Sequence, residues 1–251
     1  MDVHSGRVGL PVLGARAVEA TGETRGECAP VRLEVPAPGI EVWYCELAWP
    51  ATGIDAMRAC LAPAELARAA RFGRPALRDR YIVGRGTLRH LLGARLALAP
   101  EHVDIQRGHR GRPHVPGAGG LDFNVSHTGD HALIGIVTQG RIGVDVEHEA
   151  RQLNVEGVAR KFMAPAEQAM LAAQEPDRRR RTLLRLWTCK EAMSKATGDA
   201  LSAPFRQIDV ALDGGARVAG GPPPYAPGGW TLHALRTPGD HLATIALWQG
   251  P

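Results

Sequence analysis

Aromatic residues and cysteines are scarce in this sequence. Phe, Trp and Tyr together make up 5% of the 251 residues. No basic stripe is interleaved with aromatic residues, so the chain lacks the platform on which single-stranded nucleic acids stack. The four cysteines, at positions 28, 45, 60 and 189, show no paired spacing. We therefore expect reduced, mostly buried thiols rather than a zinc site or a disulfide framework.

Long apolar runs are also missing. No stretch approaches the ~20 apolar residues that a membrane-spanning helix needs. The start of the chain, from Met1 to Arg7, lacks the apolar core of a secretion signal. The expected location is therefore the cytoplasm. The sequence contains neither the Gly-x-x-x-x-Gly-Lys loop of P-loop kinases nor a repeat at a short period, which argues against a solenoid.

The composition is otherwise that of a soluble globular protein. Hydrophobic residues make up 44% and charged residues 22% of the chain. The net charge of +4 reflects an excess of Arg, which suits an anionic partner but is too small to indicate nucleic acid. A chain of this length forms one large domain or two small ones.

Hydrophobic periodicity predicts an α+β fold. Strands are expected at 40–48, 121–125, 131–137, 142–147, 207–212, 230–235 and 242–248, and helices at 54–61, 63–72, 76–98, 154–162, 164–174 and 178–196. Each half therefore mixes strands with one long helix. We expect a loose extension at 1–39 and two similar α/β lobes, at 40–140 and 141–251, with a ligand in the cleft between them.

One predicted strand carries two carboxylates. Its sequence, Gly-Val-Asp-Val-Glu at 143–147, places Asp145 and Glu147 on one face because strand side chains alternate. Val144 and Val146 form the opposite, apolar face. An exposed strand with a common charge pattern is the alternative interpretation. Converging carboxylates are, however, the hard oxygen ligands that Mg²⁺ takes when a phosphate completes its coordination.

The long helix in the second half carries another carboxylate in line with apolar residues. At 100° per residue, Leu183, Leu184, Trp187, Glu191 and Lys195 fall on one stripe. A charge on such a stripe is costly to bury unless it is paired or bound to a metal. A surface Glu–Lys pair is the simpler alternative. With Asp145 and Glu147 as co-ligands, a metal site is favoured, and nearby lysines suggest a polyphosphate substrate.

Other polar segments suit an anionic ligand or partner. Ser126 and His127 lie in what reads as a small-polar turn after a strand, a setting that suits phosphate oxygens but equally a simple hairpin turn. Arg112, in Gly-Arg-Pro, could cover a nucleotide or be solvated. The four arginines at 178–181 form either a solvated helix start or a docking patch for an acidic protein.

Together these segments resemble the surfactin-synthetase type of 4′-phosphopantetheinyl transferase. The matching motifs, in order, are F-N-V-S-H-T-G at 123–129, I-G-V-D-V-E at 142–147, F-M-A-P-A-E at 162–167 and W-T-C-K-E-A-M-S-K-A-T-G-D-A-L at 187–201. The likeness spans about residues 40 to 250. It implies a Mg²⁺-dependent enzyme with two pseudo-symmetric lobes in one monomeric chain. The implied reaction transfers the phosphopantetheinyl arm of coenzyme A to a serine of an acyl, peptidyl or aryl carrier protein and releases 3′,5′-ADP.

The resemblance also implies roles for individual residues. Metal ligands would be Asp145, Glu147 and Glu191, and phosphate or 3′-phosphoadenosine contacts would come from Ser126, His127, Lys190 and Lys195. The adenine or 3′-phosphate would lie near Arg68, Arg71, Arg80 and Arg112. Glu167 matches a position proposed for proton handling or ligation. The resemblance sets Glu65 at a position where lysine also occurs in the family, which leaves the 3′-phosphate contacts of that helix to Arg68 and Arg71.

The catalytic set expected from this comparison is Glu191, Asp145, Glu147, Lys195 and His127. Glu191 is the simplest acceptor of the serine proton, and His127 is assigned to phosphate binding. Two other classes remain open. One is a Mg²⁺-dependent nucleotide pyrophosphohydrolase that needs no carrier protein. The other is a non-catalytic adaptor of the same fold that binds carrier domains, although such a protein need not keep all three carboxylates.

Overall fold

Helices and antiparallel sheets make up the described part of the chain. The computed structural model describes residues 29–108 and 110–250. The predicted α+β class is confirmed. In this part of the chain, no helix is long and apolar enough to cross a membrane. Three cysteines, Cys45, Cys60 and Cys189, are free and buried as expected, and Cys28 lies outside the described residues.

The first half contains a four-stranded antiparallel sheet. Its spatial order is β1 (Val31–Leu33), β2 (Ile40–Glu46), β6 (His131–Val137) and β5 (Asp122–Thr128). Central strand β6 is buried almost throughout, as its sequence His-Ala-Leu-Ile-Gly-Ile-Val predicts. Strand β1 lies inside the predicted loose extension, so residues 31–33 are part of the sheet, where Leu33 pairs with Val42. The extension was therefore predicted to reach too far along the chain.

Three helices cover this sheet. They are α1 (Ala51–Ala59), α2 (Pro63–Ala70) and α3 (Pro75–Leu96). Pro63 and Pro75 open α2 and α3, where the missing N–H is not needed. A short hairpin, β3 (Gln106–Arg107) with β4 (Pro113–His114), follows α3. Buried apolar side chains of the helices and of β2 and β6 form one continuous core, with Leu88 and Leu92 of α3 at its centre.

The second half contains a three-stranded antiparallel sheet. Its order is β10 (Trp230–Leu235), β11 (His241–Trp248) and β7 (Arg141–His148), accompanied by helices α4 (Val155–Phe162), α5 (Pro165–Ala172) and α6 (Pro176–Thr197). A small hairpin, β8 (Asp209–Ala211) with β9 (Arg217–Gly220), follows α6 along the chain and precedes β10. Strand β9 falls in the Gly/Pro-rich stretch between the strands predicted at 207–212 and 230–235.

Polar side chains of β5 hold the neighbouring edge of β7. Asp122 Oδ2 accepts the N–H of Ile142 at 2.8 Å, and Asn124 Oδ1 accepts that of Val144 at 3.0 Å. These bonds satisfy strand N–H groups that a free sheet edge would leave open. Strand β5 extends to Thr128, so Ser126 and His127 belong to a strand and not to the predicted turn. The next side chain along this edge, Ser126, points at Asp145.

Helix α6 packs directly on β7 because Gly143 has no side chain. A Cβ at this position would lie 1.8 Å from the carbonyl oxygen of Ala192 and 2.7 Å from the nitrogen of Ala196. The helix backbone therefore rests on the strand backbone, as glycine permits at close approaches. This contact brings the side chains at 191 and 195 beside the carboxylates of β7.

Candidate functional site

Asp145 is the most enclosed acid of the site. It lies on the fifth residue of β7 with only 4% of its surface exposed. Its Oδ1 accepts hydrogen bonds from Ser126 Oγ at 2.8 Å and from Lys195 Nζ at 2.6 Å. Lys195 also donates to Ser126 Oγ at 2.9 Å. A strand of the first half, a strand of the second half and helix α6 thus meet at one carboxylate.

Glu191 lies one helical turn before Lys195, and both side chains line one cavity. This cavity has a volume of about 430 Å³. Its walls include the predicted residues Ser126, His127, Asp145, Glu147, Glu191 and Lys195. Burial, together with the negative charge of Asp145, raises the pKa of Glu191, while Lys195 opposes that rise. The structure therefore brings six of the predicted site residues together.

Glu147 forms an ion pair with Arg151, a partner that the sequence did not predict. It is buried, and its Oε1 pairs with the Arg151 guanidinium from the loop after β7. Burial and the neighbouring Asp145 raise the pKa of Glu147, whereas Arg151 and Lys195 lower it. Both glutamates of the site thus have raised pKa values, as expected where three carboxylates share two cations.

His127 stands at the mouth of the cavity. Its ring lies against helix α3, where a Cβ on Gly84 would come within 3.4 Å of His127 Nε2. Desolvation and the Lys195 ammonium lower the pKa of His127. A second opening, of about 630 Å³, shares His127, Glu147 and Arg151 with the first and continues along Thr128, Gly129, His148 and Ala150. An imidazole N–H here can donate to a phosphate oxygen.

The donor set fits Mg²⁺ only together with a phosphate. Among residues 29–108 and 110–250, no group of three or more His, Cys, Asp or Glu could hold a metal ion by itself. Two buried oxygens, Asp145 Oδ2 and Glu191 Oε1, lack a hydrogen-bond partner among the described atoms, and buried polar atoms are normally paired. Mg²⁺ commonly binds one or two carboxylates plus substrate phosphates and water. These oxygens would serve an ion of that kind.

Lys190 was predicted to contact the ligand, but the structure does not bring it to the cavity. Its side chain is 0% exposed. The ammonium lies 2.6 Å from Glu167 Oε2 and donates to three backbone carbonyls, those of Phe162, Phe205 and Ile208. Glu167, the acid that the resemblance linked to proton handling, is buried with it at 2% exposure. The physical reason is helical geometry, since residues 190 and 195 lie about 140° apart around the axis.

Arg112 is likewise engaged inside the protein. Its guanidinium pairs with Asp122 and donates to the carbonyl oxygens of Lys195, at 2.6 Å, and Ile142, at 2.8 Å. It therefore joins the hairpin loop to β5, β7 and the end of α6. The predicted nucleotide contact would require these bonds to break.

The remaining predicted arginines lie outside the cavity walls. Arg68 is exposed on α2 and stacks over the ring of Tyr81 at 5.5 Å, and Arg71 is exposed at the end of the same helix. Arg80 pairs with Asp130, next to Gly129 of the second opening. The structure leaves these three side chains at the surface of the first half.

The basic run that opens α6 is largely tied down. Arg179 donates to the carbonyl of Gln174 at 2.8 Å, Arg180 to that of Glu149 at 3.0 Å, and Arg181 to the carboxylate of Glu149 at 2.9 Å. Much of this charge therefore closes loops of the second half. Its use as a docking patch stays a prediction.

Sequence reasoning missed four side chains that line the cavity. They are Val125, Arg151, Trp187 and Leu201. Trp187 was predicted for the apolar stripe, and Leu201 is 70% exposed. Arg151 follows Glu147 by four residues across a strand end, where spacing carries no rule for contact. Only the exposed apolar character of Leu201, next to a charged motif, offered a signal.

Comparison with known proteins places these residues in a family. The profile described as "4′-phosphopantetheinyl transferase superfamily" matches residues 141–246, and "4′-phosphopantetheinyl transferase, N-terminal" matches 49–138. The 4′-phosphopantetheinyl transferase HetI of Nostoc sp. is 34% identical over 73% of this chain and 78% of its own. A 4′-phosphopantetheinyl transferase of Bacillus subtilis is 27% identical over 63% and 69%. AcpT of Escherichia coli is 32% identical over 48% and 58%.

Both halves of the chain are therefore matched by profiles of the same enzyme, and one relative is aligned over most of its length. The superfamily profile runs through β7 and α6, which carry Asp145 and Glu191. The chain belongs to the 4′-phosphopantetheinyl transferase superfamily, a family of transferase enzymes.

Proposed function

We propose that this protein transfers the 4′-phosphopantetheine arm of coenzyme A to a serine of an apo carrier protein and releases 3′,5′-ADP. The observation that carries the proposal is the cavity in which Asp145, Glu147 and Glu191 converge beside Lys195. Within its family we infer the surfactin-synthetase type, because motifs of both halves match in order. The carriers served are acyl, peptidyl or aryl carrier proteins of fatty acid, polyketide or nonribosomal peptide synthases.

The acids of the cavity would hold Mg²⁺. The ligands are Asp145, Glu147 and Glu191, of which Asp145 and Glu191 each present a buried oxygen with no other partner in the described structure. When bound, the ion supplies positive charge where the pyrophosphate of coenzyme A gains negative charge as its P–O bond breaks. To bind it, Glu147 would exchange the Arg151 guanidinium, and Asp145 would offer Oδ2 while Oδ1 keeps its bond to Lys195.

Lys195 and His127 position the pyrophosphate. The Lys195 ammonium lies 2.9 Å from Ser126 Oγ and 2.6 Å from Asp145 Oδ1, and these two hydrogen bonds fix its position in the cavity. His127 would donate a ring N–H from the cavity mouth. In phosphoryl transfer most of the catalysis comes from such positioning and charge stabilisation.

Glu191 accepts the proton of the attacking serine. Its carboxylate lines the cavity in which the serine and the pyrophosphate would meet, and a carboxylate in reach of the hydroxyl can act as general base. The serine oxygen attacks the phosphorus, the bond to the bridging oxygen breaks, and 3′,5′-ADP leaves with the electron pair. The proton passes to Glu191 directly or through one water.

The nucleotide end of coenzyme A would lie on the first half. Arg68 and Arg71 are exposed for a 3′-phosphate, and Arg80 can join by exchanging Asp130. We infer two pseudo-symmetric lobes, 40–140 and 141–251, in one monomeric cytoplasmic chain, with the site in the cleft between them. Support comes from the shared order of elements, in which a strand, three helices and two paired strands occur in each half.

The direct test is intact-mass spectrometry of apo carrier proteins incubated with the enzyme, coenzyme A and Mg²⁺, with EDTA in a parallel reaction. The expected result is a mass gain of one phosphopantetheine group that EDTA abolishes. Coenzyme A consumed without a mass gain on acyl, peptidyl or aryl carriers would instead identify a pyrophosphohydrolase. Carrier binding with neither mass gain nor consumption would identify an adaptor.

A further inference from the structure

Lys190 and Glu167 form a buried clip that joins three segments. Lys190 comes from α6 and Glu167 from the first turn of α5, while the carbonyls of Phe205 and Ile208 belong to the stretch after α6. Glu167 also accepts two backbone N–H groups, from Ala164 at 2.7 Å and Val210 at 2.9 Å. Lysine offers three donor hydrogens, and four acceptors already surround this ammonium.

The first half contains the same clip. Glu65, like Glu167, is the third residue of a Pro-Ala-Glu helix start and accepts the N–H three residues before it, that of Ala62, at 2.9 Å. Arg89 of α3 donates to Glu65 at 2.6 Å and to two carbonyls after its own helix, those of Pro100 and Val103, at 2.9 and 3.0 Å. Its side chain is 3% exposed.

The two clips differ in the residue that comes next on the helix. His90 follows Arg89, whereas Glu191 follows Lys190. A residue one position further on a helix points about 100° away. Anchoring Lys190 in the core therefore turns Glu191 towards the cavity, and Lys195 lies nearly in line with Glu191. The Gly143 contact fixes how close α6 comes to β7, and rotation about the helix axis is set by the buried apolar face of α6 together with the clip.

We propose that Lys190, held by Glu167, is a positioning residue that helps to set the rotation of α6 and so turns Glu191 towards the cavity. This inference rests on the proposed function. It differs from the direct ligand contact that the family resemblance implied for Lys190. It also gives Glu167 a structural partner in place of a part in proton transfer.

The experiment removes the acid and its clip cation together in each half; in the control, Arg85, which also pairs with Glu65, is left without its carboxylate. One variant combines Lys190→Met with Glu167→Gln, and its control combines Arg89→Met with Glu65→Gln in the first half. Folding is checked by circular dichroism. Calorimetry then measures binding of coenzyme A in EDTA and binding of Mn²⁺ in the presence of coenzyme A, and mass spectrometry measures transfer to a carrier.

The Lys190/Glu167 variant should bind Mn²⁺ about 10–100-fold more weakly, the usual effect of losing a group that orients metal ligands. Its affinity for coenzyme A in EDTA should change far less, because Lys195, which would meet the pyrophosphate, stays held by Asp145 and Ser126. The control should lose stability but keep both constants. A Lys190→Arg variant, which retains the charge, should recover most of the Mn²⁺ affinity and covers the case in which the double variant does not fold.

Two results would overturn the inference. A large loss of coenzyme A affinity in EDTA would make Lys190 a direct phosphate ligand, and an equal loss of Mn²⁺ affinity in the control would reduce the clip to general stability. A wild-type protein that binds Mn²⁺ and coenzyme A but transfers nothing to carriers would refute the proposed function while leaving the positioning result intact. A wild-type protein that binds neither would refute both.

Discussion

The Lys195 ammonium lies 2.6 Å from Asp145 Oδ1, which couples the last turns of helix α6 to strand β7. Removing either partner alone would leave a largely buried charge uncompensated. The pair also fixes the only Asp145 oxygen that Ser126 contacts in the described structure and leaves Oδ2 without a described partner. One lysine thus leaves the second oxygen of this aspartate open to the ion proposed for the site.

Asp145→Asn and Glu191→Gln should remove transfer activity and divalent-ion binding together. Each change replaces an anionic oxygen that would contact the ion, and we expect turnover to fall by about 10²–10³-fold or more, as for loss of a charge-stabilising group. Mass spectrometry of the carrier gives turnover, and Mn²⁺ titration gives ion binding.

Asp213→Asn is the matched control for these two variants, because Asp213 is exposed and pairs only weakly with Arg217. Near-normal turnover of Glu191→Gln at saturating Mg²⁺ would rule out Glu191 as the proton acceptor. Retained activity of Asp145→Asn would rule out the ion site.

Gly143→Ala should destabilise the protein and disable the site. The added Cβ would lie 1.8 Å from the carbonyl oxygen of Ala192, and backbone atoms cannot rotate away as a side chain can. We expect a loss of at least about 1–3 kcal/mol in the free energy of unfolding, the cost of overpacking, measured by urea denaturation.

Gly73→Ala is the corresponding control, since nothing lies within 4 Å of a Cβ there, and it should change stability by no more than about 0.5 kcal/mol. Equal stability of the two variants would mean that α6 does not rest on β7 at residue 143.

Arg151→Met should lower the stability of the metal-free protein and raise its affinity for the ion. Arg151 pairs with Glu147 when no metal ion is bound. Its removal therefore ends the competition between the guanidinium and the metal ion for this carboxylate. The same removal leaves Glu147 buried without that partner. The melting temperature in EDTA should fall, and the stabilisation by Mn²⁺ should grow.

Thermal melts with and without Mn²⁺ measure both effects. Arg217→Met, which breaks an exposed pair with Asp213, serves as the comparison and should change neither. Weaker Mn²⁺ binding by Arg151→Met would show that Arg151 supports the ion site instead of competing for it.

His241→Gln should reduce the loss of folding stability that accompanies a fall in pH. Burial, together with His131 and His148, lowers the pKa of His241 from 6.5 to about 4. The unfolded chain then binds the proton more tightly than the folded one, so the stabilisation present above pH 6.5 is lost as the pH falls through this interval. Because the ring is partly exposed, the effect is on the order of 1 kcal/mol.

The measurement is urea denaturation at a series of pH values between about 7 and about 4. His114→Gln, at an exposed position on β4, should leave the slope unchanged. An unchanged slope in His241→Gln would remove the cluster of His131, His148 and His241 as a source of acid sensitivity. Since Tyr44 OH lies 3.0 Å from His241 Nδ1, a small loss of stability at neutral pH is expected as well.

Sequence alone determined the nature of the site and most of the elements. The alternation of Gly-Val-Asp-Val-Glu put Asp145 and Glu147 on one strand face, and the helical stripe put Glu191 in line with Lys195. Both relations depend on the fixed geometry of a single element, so they follow from spacing. The long helices and the strands around them were predictable for the same reason, because one buried face imposes a regular period on the sequence.

Only the tertiary structure decided which charged side chains face the cavity. Lys190 and Lys195 stand on one helix, yet the first is enclosed by Glu167 and three carbonyls while the second reaches Asp145. Arg112 looked free in a Gly/Pro loop but ties Asp122 to the end of α6. Such choices depend on partners distant in sequence, because a buried charge goes where acceptors from other elements satisfy it, and no local pattern records where those acceptors lie.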